Sequence, residues 1–199
     1  LIDHAVMAGC SVTLLTNGLL VTAELAERLI ALNVRIKMSL DGTSDQTHDA
    51  IRGPGTFKRT VDVLRMLVRL GAPGLTVHYT VNRWNFRELR NLPALLKEIG
   101  VSFLVVGTIK PSGRAAVNRE LLIPPAMVPY VNRVVTEISE AAEIPTLRFT
   151  DRGWGEFGCP AVCSKMGLTA DGRLNTCVFF GDALQGDSIR DFSLPELWN

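Results

Sequence analysis

The sequence predicts an α/β fold built on a sheet of parallel strands. Short apolar runs rich in β-branched residues alternate with amphipathic helical stretches through residues 1–150, in units of roughly 30 residues each. Such alternation is typical of parallel strands joined by right-handed helical crossovers. Hydrophobic residues make up 47% of the chain, which allows a substantial core. From residue 151 onward glycine becomes more frequent and helical periodicity disappears, so we predict two domains, 1–150 and 151–199.

The individual elements follow from local signals. Residues 1–9 have the pattern of the end of a helix closed by Gly9, and Thr22 marks the start of the next helix. The polar stretch 43–56, closed by Gly53-Pro54-Gly55, is predicted to be a loop. The predicted strands are 11–15, 34–40, 75–81, 101–109 and 146–150. The predicted helices are 23–32, 57–70, 86–99 and 124–142.

Polar residues stand where the predicted strands end. Ligands of parallel α/β sheets bind at the carboxyl ends of the strands, so these residues predict a polar ligand-binding rim. We expect Thr16, Ser39 and Asn82 to converge at this rim. The alternative for each residue is structural, because strand-to-helix loops favour these residue types as turn and cap formers. The polar residues concerned are Thr16, Asn17, Ser39, Asp41, Asn82 and Asn85.

Two further features indicate a polar ligand. Residues 75–82 alternate between an apolar face and a polar face that includes His78. A parallel strand covered on both sides would be apolar on both faces, so the polar face predicts the lumen of a partial (β/α) barrel. Arg52 follows the strand that ends at Ser39, where a guanidinium can bind a carboxylate through two parallel hydrogen bonds. A surface salt bridge is the alternative for Arg52.

Cysteines cluster near the end of the chain. Of the four cysteines, Cys159, Cys163 and Cys177 lie within one short stretch, and the Asp171-Gly172 turn is expected to fold Cys177 back toward the other two. Grouped thiolates suit zinc or an iron–sulfur cluster, and spacing alone does not separate the two. Unrelated thiols, or a disulfide with one cysteine left over, are the alternatives.

Bulk composition excludes several classes of protein. A net charge of +1 argues against nucleic-acid binding through a basic surface. No run of 18 apolar residues and no signal-peptide pattern is present, so we expect a cytoplasmic protein without a membrane partner. Because the chain begins at Leu1 within what resembles the end of a helix, we expect it to be a piece of a longer protein.

Five segments in the same order resemble the radical S-adenosylmethionine (SAM) enzymes, and the likeness covers nearly the whole chain. The C-terminal region resembles the SPASM or "twitch" extension of that family, in which Cys159 is followed after twelve residues by Gly172 and after four more by Cys177. The segments are T-N-G-L-L (16–20), M-S-L-D-G (38–42), H-D-A-I-R-G-P-G-T-F (48–57), T-V-N-R-W-N (80–85) and P-S-G-R-A (111–115).

The resemblance implies reductive cleavage of SAM to a 5'-deoxyadenosyl radical that abstracts hydrogen from a substrate. It implies that Ser39 binds the ribose, that Thr16 and Asn17 line the same pocket, and that Arg52 neutralises the methionine carboxylate, with His78 in the lumen beneath. The family's C-x3-C-x2-C motif is absent from this sequence. The catalytic [4Fe–4S] cluster is therefore expected to be ligated upstream of Leu1, and these residues alone are expected to be inactive.

The resemblance also implies an auxiliary [4Fe–4S] cluster at Cys159, Cys163 and Cys177, and an electron donor such as flavodoxin or ferredoxin. The expected substrate is a peptide or protein that is modified after translation, as in a maturase. A radical SAM enzyme of small-molecule cofactor biosynthesis is the first alternative. The second comes from another class of protein and is a zinc-stabilised α/β binding domain without redox chemistry.

Overall fold

The computed structural model describes residues 1–141, 146–149, 165–175, 177 and 185–198. The chain divides into two compact units, one made of Leu1–Thr108 with Ile123–Thr150 and the other of Ile109–Leu122 with Asp151–Asn199. The predicted domain boundary after residue 150 stays a prediction. No helix in the described part of the chain is long and apolar enough to cross a membrane.

The first unit alternates strands and helices, which confirms the predicted α/β fold. Its strands form one sheet in the order β1-β2-β3-β4-β5, and every neighbouring pair is parallel. β1 and β5 are the outer strands of this open sheet within the described residues. The strands are β1 (Thr13–Thr16), β2 (Arg35–Ser39), β3 (Thr76–Val81), β4 (Phe103–Thr108) and β5 (Thr146–Phe149). The helices are α1 (Ile2–Met7), α2 (Ala23–Ala31), α3 (Asp45–Arg52), α4 (Thr56–Arg69), α5 (Leu92–Ile99) and α6 (Val128–Glu140).

The core lies on one face of the sheet. In β3 the predicted alternation is confirmed, because Val77, Tyr79 and Val81 are fully buried while Thr76, His78 and Thr80 are only half-buried. The buried face packs with the apolar stripes of the helices into a single hydrophobic cluster. The opposite face of β3 therefore carries polar side chains that are half-buried.

Two predicted elements are corrected by the structure. The predicted loop 43–56 contains α3, whose N-cap is Ser44 and which ends at Gly53 with a φ of 110°. This helix has only eight residues, too few for a strong apolar period, so the polar composition suggested a loop. The predicted helix 124–142 begins later, at Val128, because Pro129 fits only in the first turn of a helix.

Gly42 allows α3 to pack closely against the loop that follows β2. A Cβ atom at this position would stand 2.5 Å from the backbone nitrogen and 3.0 Å from the Cα of His48. Because backbone atoms of a helix cannot move aside cheaply, we expect Gly42→Ala to lower the free energy of unfolding by about 1–3 kcal/mol. Urea unfolding monitored by circular dichroism measures the change.

Gly186→Ala is the matched control for this prediction. Its added Cβ would meet Leu174 Cβ at 3.5 Å, an ordinary contact, so we expect little change in stability. A Gly42→Ala protein that unfolds at the same urea concentration as the parent would contradict the close packing of α3.

The second unit contains a small antiparallel sheet in the order β6-β7-β8. The predicted Asp171-Gly172 turn is confirmed: Gly172 has a φ of 87°, and the strands on either side pair through Leu168 and Leu174. Cys159 and Cys163 lie outside the described residues, so the predicted approach of Cys177 to them stays a prediction. The elements are β6 (Gly167–Leu168), β7 (Arg173–Asn175), β8 (Gln185–Ser188) and α7 (Leu194–Trp198).

Candidate functional site

Asp41 is the centre of a hydrogen-bond network at the carboxyl ends of β2 and β3. One carboxylate oxygen, Oδ1, accepts the backbone N–H of Thr80 at 2.8 Å. The other, Oδ2, accepts both Nε and Nη2 of Arg52 at 2.6 Å each. The side chain of Asp41 is 3% exposed and that of Arg52 is 30% exposed. Asp41 therefore shapes the strand-end loop and joins it to the last residue of α3.

His48 attaches the middle of α3 to the same residue. Its Nδ1 accepts the backbone N–H of Asp41 at 3.1 Å, so the ring is neutral with its proton on Nε2. Burial lowers the pKa of His48, while the nearby carboxylate of Asp41 acts in the opposite direction. The ring also packs at 58° against Phe57, with centroids 5.8 Å apart. His48 thus acts first as a buried hydrogen-bond acceptor that fixes the distance between α3 and the sheet.

Asn82 and Asn85 close the loop after β3. Asn85 Nδ2 donates to the carbonyl oxygens of Asp41 and Thr80, both at 3.0 Å, and its Oδ1 accepts the N–H of Asn82 at 2.7 Å. The hydroxyl of Tyr79 donates to the carbonyl of Asn85 at 2.9 Å. Both asparagines are at most 1% exposed. The geometry of these two residues supports the structural alternative, in which they stabilise the loop rather than bind a ligand.

Glu88 holds the N-terminal end of α3 from the 3₁₀ turn Phe86–Asn91. Its carboxylate accepts the backbone N–H of Thr43 at 2.6 Å and the hydroxyls of Thr43, Ser44 and Thr47. Burial would raise the pKa of Glu88, but these hydrogen bonds outweigh it and hold the pKa below its ordinary value of 4.5. The helix that carries His48 and Arg52 is therefore fixed at both ends.

We expect Glu88→Gln to lower the free energy of unfolding by about 1 kcal/mol at pH 7, since hydrogen bonds to an ionised group are lost at a half-exposed site. A lowered folded-state pKa contributes stability that is fully present above the unfolded pKa and is lost as pH falls through the folded value. The difference between parent and variant should therefore shrink below about pH 4.5. Urea unfolding at pH 7 and pH 3.5 measures both effects.

Glu98→Gln is the control, because Glu98 forms an exposed ion pair with Arg65 and should matter little for stability. If Glu88→Gln lowers the stability equally at both pH values, the result would contradict the proposal that the ionised carboxylate of Glu88 holds the start of α3.

A small cavity of about 20 Å³ lies among the strand ends and α3. This is room for about one water molecule, so a larger ligand would place only one polar end in it. The cavity brings together three of the predicted cofactor-binding residues, Asn17, Ser39 and Arg52. Its complete lining is Asn17, Leu19, Ser39, His48, Arg52, Thr56 and Thr60.

Thr16 and His78 do not line this cavity. Thr16 is in register with Met38 on the buried face of the sheet, and its hydroxyl accepts the N–H of Gly18 at 3.0 Å. Ser39 is in register with His78, on the opposite face. By register, Thr16 and Ser39 therefore lie on opposite faces of the sheet, and the expected convergence of Thr16, Ser39 and Asn82 stays a prediction. Burial lowers the pKa of His78, which favours a neutral ring on the open face.

The described cysteines are Cys10 and Cys177. Cys177 is half-buried just beyond β7, and its backbone N–H donates to Asn175 Oδ1 at 2.9 Å. Cys10 is exposed. The metal-binding role predicted for Cys159, Cys163 and Cys177 stays a prediction.

Three site residues were missed by sequence reasoning because α3 was missed. His48, Thr56 and Glu88 gain their roles from the way this helix is held between the loop after β2 and the turn after β3. One signal was available: Ser44 followed by Asp45 is a helix-start pattern, and His48 and Arg52 then lie four residues apart on one face. Nothing local signals the contact of Glu88.

Known proteins resemble this chain in sequence. Residues 1–96 match the family model described as the Radical SAM superfamily. An AdoMet-dependent heme synthase from Methanosarcina barkeri is 37% identical over 116 residues, which cover 57% of this chain and 33% of that protein. The mycofactocin maturase MftC of Mycobacterium tuberculosis is 35% identical over 115 residues, 57% of this chain and 29% of that protein. The match thus spans about a third of each relative's own length.

The fold also resembles that of SuiB from Streptococcus suis. The SuiB structure bound to S-adenosylmethionine has a TM-score of 0.79 at 15% identity, over 99% of this chain and 50% of that one. The SuiB structure bound to the precursor peptide SuiA gives a TM-score of 0.78 at 16% identity, over 99% and 49%. At such identity the likeness concerns the fold alone. Residues 1–96 are thus similar in sequence to the Radical SAM superfamily, and the chain resembles SuiB in fold.

Proposed function

We propose that this chain is part of a radical SAM enzyme that modifies a peptide or protein. One observation carries the proposal. Asn17, Ser39 and Arg52, which come from three separate segments of the chain, line one cavity at the carboxyl ends of the strands. This edge is where parallel α/β sheets bind their ligands, and all three residues lie within the stretch that matches the family model.

The donors at this cavity fit the polar groups of SAM. A guanidinium has five N–H donors, of which Arg52 gives two to Asp41, so it retains donors for a carboxylate. The methionine carboxylate of SAM is the partner that we propose for Arg52. Because the cavity admits only one polar end of a ligand, the ribose lies outside it, where the hydroxyl of Ser39 binds it at the cavity's edge, and the amide of Asn17 lines the same cavity. We assign no contact with the cofactor to Thr16, and His78 is kept as a neutral residue of the open face.

With one electron from a [4Fe–4S] cluster, bound SAM would break its C5'–S bond, release methionine and supply a 5'-deoxyadenosyl radical able to take a hydrogen atom from the substrate. The protein's own task is to hold the cofactor in one orientation and to exclude water. We further propose that Cys159, Cys163 and Cys177 bind an auxiliary [4Fe–4S] cluster in a SPASM or twitch region. A flavodoxin or ferredoxin is the electron donor that we propose for the whole enzyme.

The peptide substrate is supported by two relatives. MftC is named a maturase, and SuiB, whose fold this chain shares, was crystallised with a precursor peptide. A second candidate, a radical SAM enzyme acting on a small molecule, is favoured by the similarity to an AdoMet-dependent heme synthase. The two candidates share the cofactor chemistry and differ only in the substrate.

The test uses the full-length protein, purified without oxygen and reconstituted with iron and sulfide. On addition of dithionite and SAM we expect 5'-deoxyadenosine, measured by liquid chromatography and mass spectrometry. Candidate peptides encoded beside the gene should increase the yield of 5'-deoxyadenosine, and their own mass should change. An enzyme that acts on a small molecule would leave the peptides unchanged. A protein that holds one zinc ion, no sulfide and no cleavage activity would instead be a zinc-stabilised binding domain.

A further inference from the structure

All four polar atoms of Asp41 are engaged by different parts of the chain. Its backbone N–H donates to His48 and its carbonyl accepts from Asn85, while its two carboxylate oxygens accept from Thr80 and Arg52. The residue is 2% exposed. A side chain held in this way has no alternative rotamer without breaking several buried hydrogen bonds.

We propose that Asp41 is a positioning residue that holds the Arg52 guanidinium ready to bind the carboxylate of SAM. The inference rests on the proposed function, because it requires that Arg52 meets the cofactor. Asp41 itself does not touch the cofactor in this account. It acts through Arg52, by fixing which of the guanidinium donors point away from the protein.

The contact geometry supports this role. Nε and Nη2 of Arg52 both donate to the single oxygen Oδ2 of Asp41, so one side of the planar guanidinium is fixed. The other carboxylate oxygen is fixed in turn by the Thr80 N–H of β3. Arg52 lies on α3, and its position is thereby set by the ends of two strands. An arginine side chain has several rotatable bonds, and fixing it before binding removes an entropic cost from association.

The pair differs from the ordinary ion pairs of this chain. In the pairs Arg28–Asp3 and Lys58–Asp62 both carboxylates are about half-exposed, whereas the Asp41 side chain is 3% exposed. Water can replace an exposed partner, but it cannot replace Asp41. Among the described residues, Asp41 is the carboxylate that orients Arg52.

The negative charge of Asp41 and its positioning of Arg52 predict opposite effects of Asp41→Asn on ligand binding. An experiment can therefore distinguish the two roles. If Asp41 mainly positions Arg52, then Asp41→Asn lets the guanidinium move and weakens its grip on a ligand carboxylate. If Asp41 mainly neutralises Arg52, the same substitution removes a negative charge near the ligand and strengthens that grip. The sign of the change separates the two roles.

The experiment measures the Kd of SAM and of its decarboxylated analogue by calorimetry, in the full-length holoenzyme and in its Asp41→Asn variant. The quantity of interest is the Kd of the decarboxylated analogue divided by the Kd of SAM. A large ratio means that the protein prefers the ligand that carries the carboxylate. We expect the ratio to fall by about threefold to tenfold, the effect of freeing one side chain. Asp62→Asn, on the exposed surface, is the matched control and should leave the ratio unchanged.

An increased ratio would overturn the inference in favour of simple charge neutralisation. Equal weakening of both ligands would overturn it in favour of a purely structural role. In an Arg52→Ala background, Asp41→Asn should have no further effect on the ratio, since its action passes through Arg52. If the parent itself fails to bind SAM, the proposed function fails and the inference fails with it. If the parent binds SAM without discrimination, only the role of Arg52 and the inference are lost.

A second variant keeps the test decisive if Asp41→Asn does not fold. Arg52→Lys retains the positive charge. A lysine, however, cannot contact Asp41 through two nitrogens and also bind both oxygens of the ligand carboxylate. We expect its discrimination to approach that of Arg52→Ala. A lysine variant that discriminates as well as the parent would show that a fixed guanidinium is not needed.

Discussion

Replacing Arg52 with alanine is expected to weaken the binding of SAM by about 1.5–3 kcal/mol, the range for a hydrogen bond to a charged group. This corresponds to an increase of roughly tenfold to a hundredfold in Kd. The physical reason is that the variant lacks the guanidinium donors proposed to bind the methionine carboxylate at the cavity of Ser39 and Asn17. Calorimetric titration of the full-length holoenzyme with SAM measures the change.

Two controls separate binding from folding. The substitution also leaves Asp41, which is 3% exposed, without the two donors that Arg52 supplies, so each variant must be shown to unfold like a native protein. Arg28→Ala removes an exposed arginine and should leave the affinity unchanged.

Ser39→Ala should weaken the binding of SAM less than Arg52→Ala does, by on the order of 1 kcal/mol for a neutral hydrogen bond. Unchanged affinity in a folded Arg52→Ala protein would return Arg52 to a purely structural salt bridge.

The second large effect concerns the C-terminal cysteines. We expect Cys163→Ala and Cys177→Ala to lose the auxiliary cluster, which is about four iron and four sulfide ions per chain for a [4Fe–4S] centre held by thiolates. Removal of one thiolate takes a ligand away from the cluster, and water is a poor substitute for it. Iron and sulfide analysis after anaerobic reconstitution measures the loss.

Cys10→Ala is the matched control, because Cys10 is exposed and belongs to the first unit of the chain. It should retain the iron and sulfide content of the parent. If Cys163→Ala and Cys177→Ala also retain it, the cluster is not where we propose. One zinc ion and no sulfide in the parent would favour the zinc-stabilised alternative.

Most of the sheet could be predicted from the sequence because its strands carry their own signals. The run at 75–81 combines β-branched residues with strict alternation, and the structure places a strand at Thr76–Val81. The helix α3 could not be predicted in the same way. It is short and polar, and contacts outside the helix stabilise it, chiefly the carboxylate of Glu88 at its start and Asp41 at its end.

The candidate site was predictable in position but only partly in composition. Strand ends are recognisable, and Asn17, Ser39 and Arg52 indeed line one cavity. The face on which a strand-end residue lies depends on the register with the neighbouring strand, which one sequence does not reveal. Thr16 is in register with Met38 and so shares the buried face, which local sequence could not indicate.

We propose that the cavity beside Arg52 receives the methionine carboxylate of SAM. The most direct test is a crystal structure of the full-length protein with SAM bound. We expect a carboxylate oxygen about 2.7–2.9 Å from an Arg52 nitrogen, with the Asp41–Arg52 pair intact and the ribose beside Ser39. A carboxylate bound elsewhere, with Arg52 contacting only Asp41, would contradict this proposal.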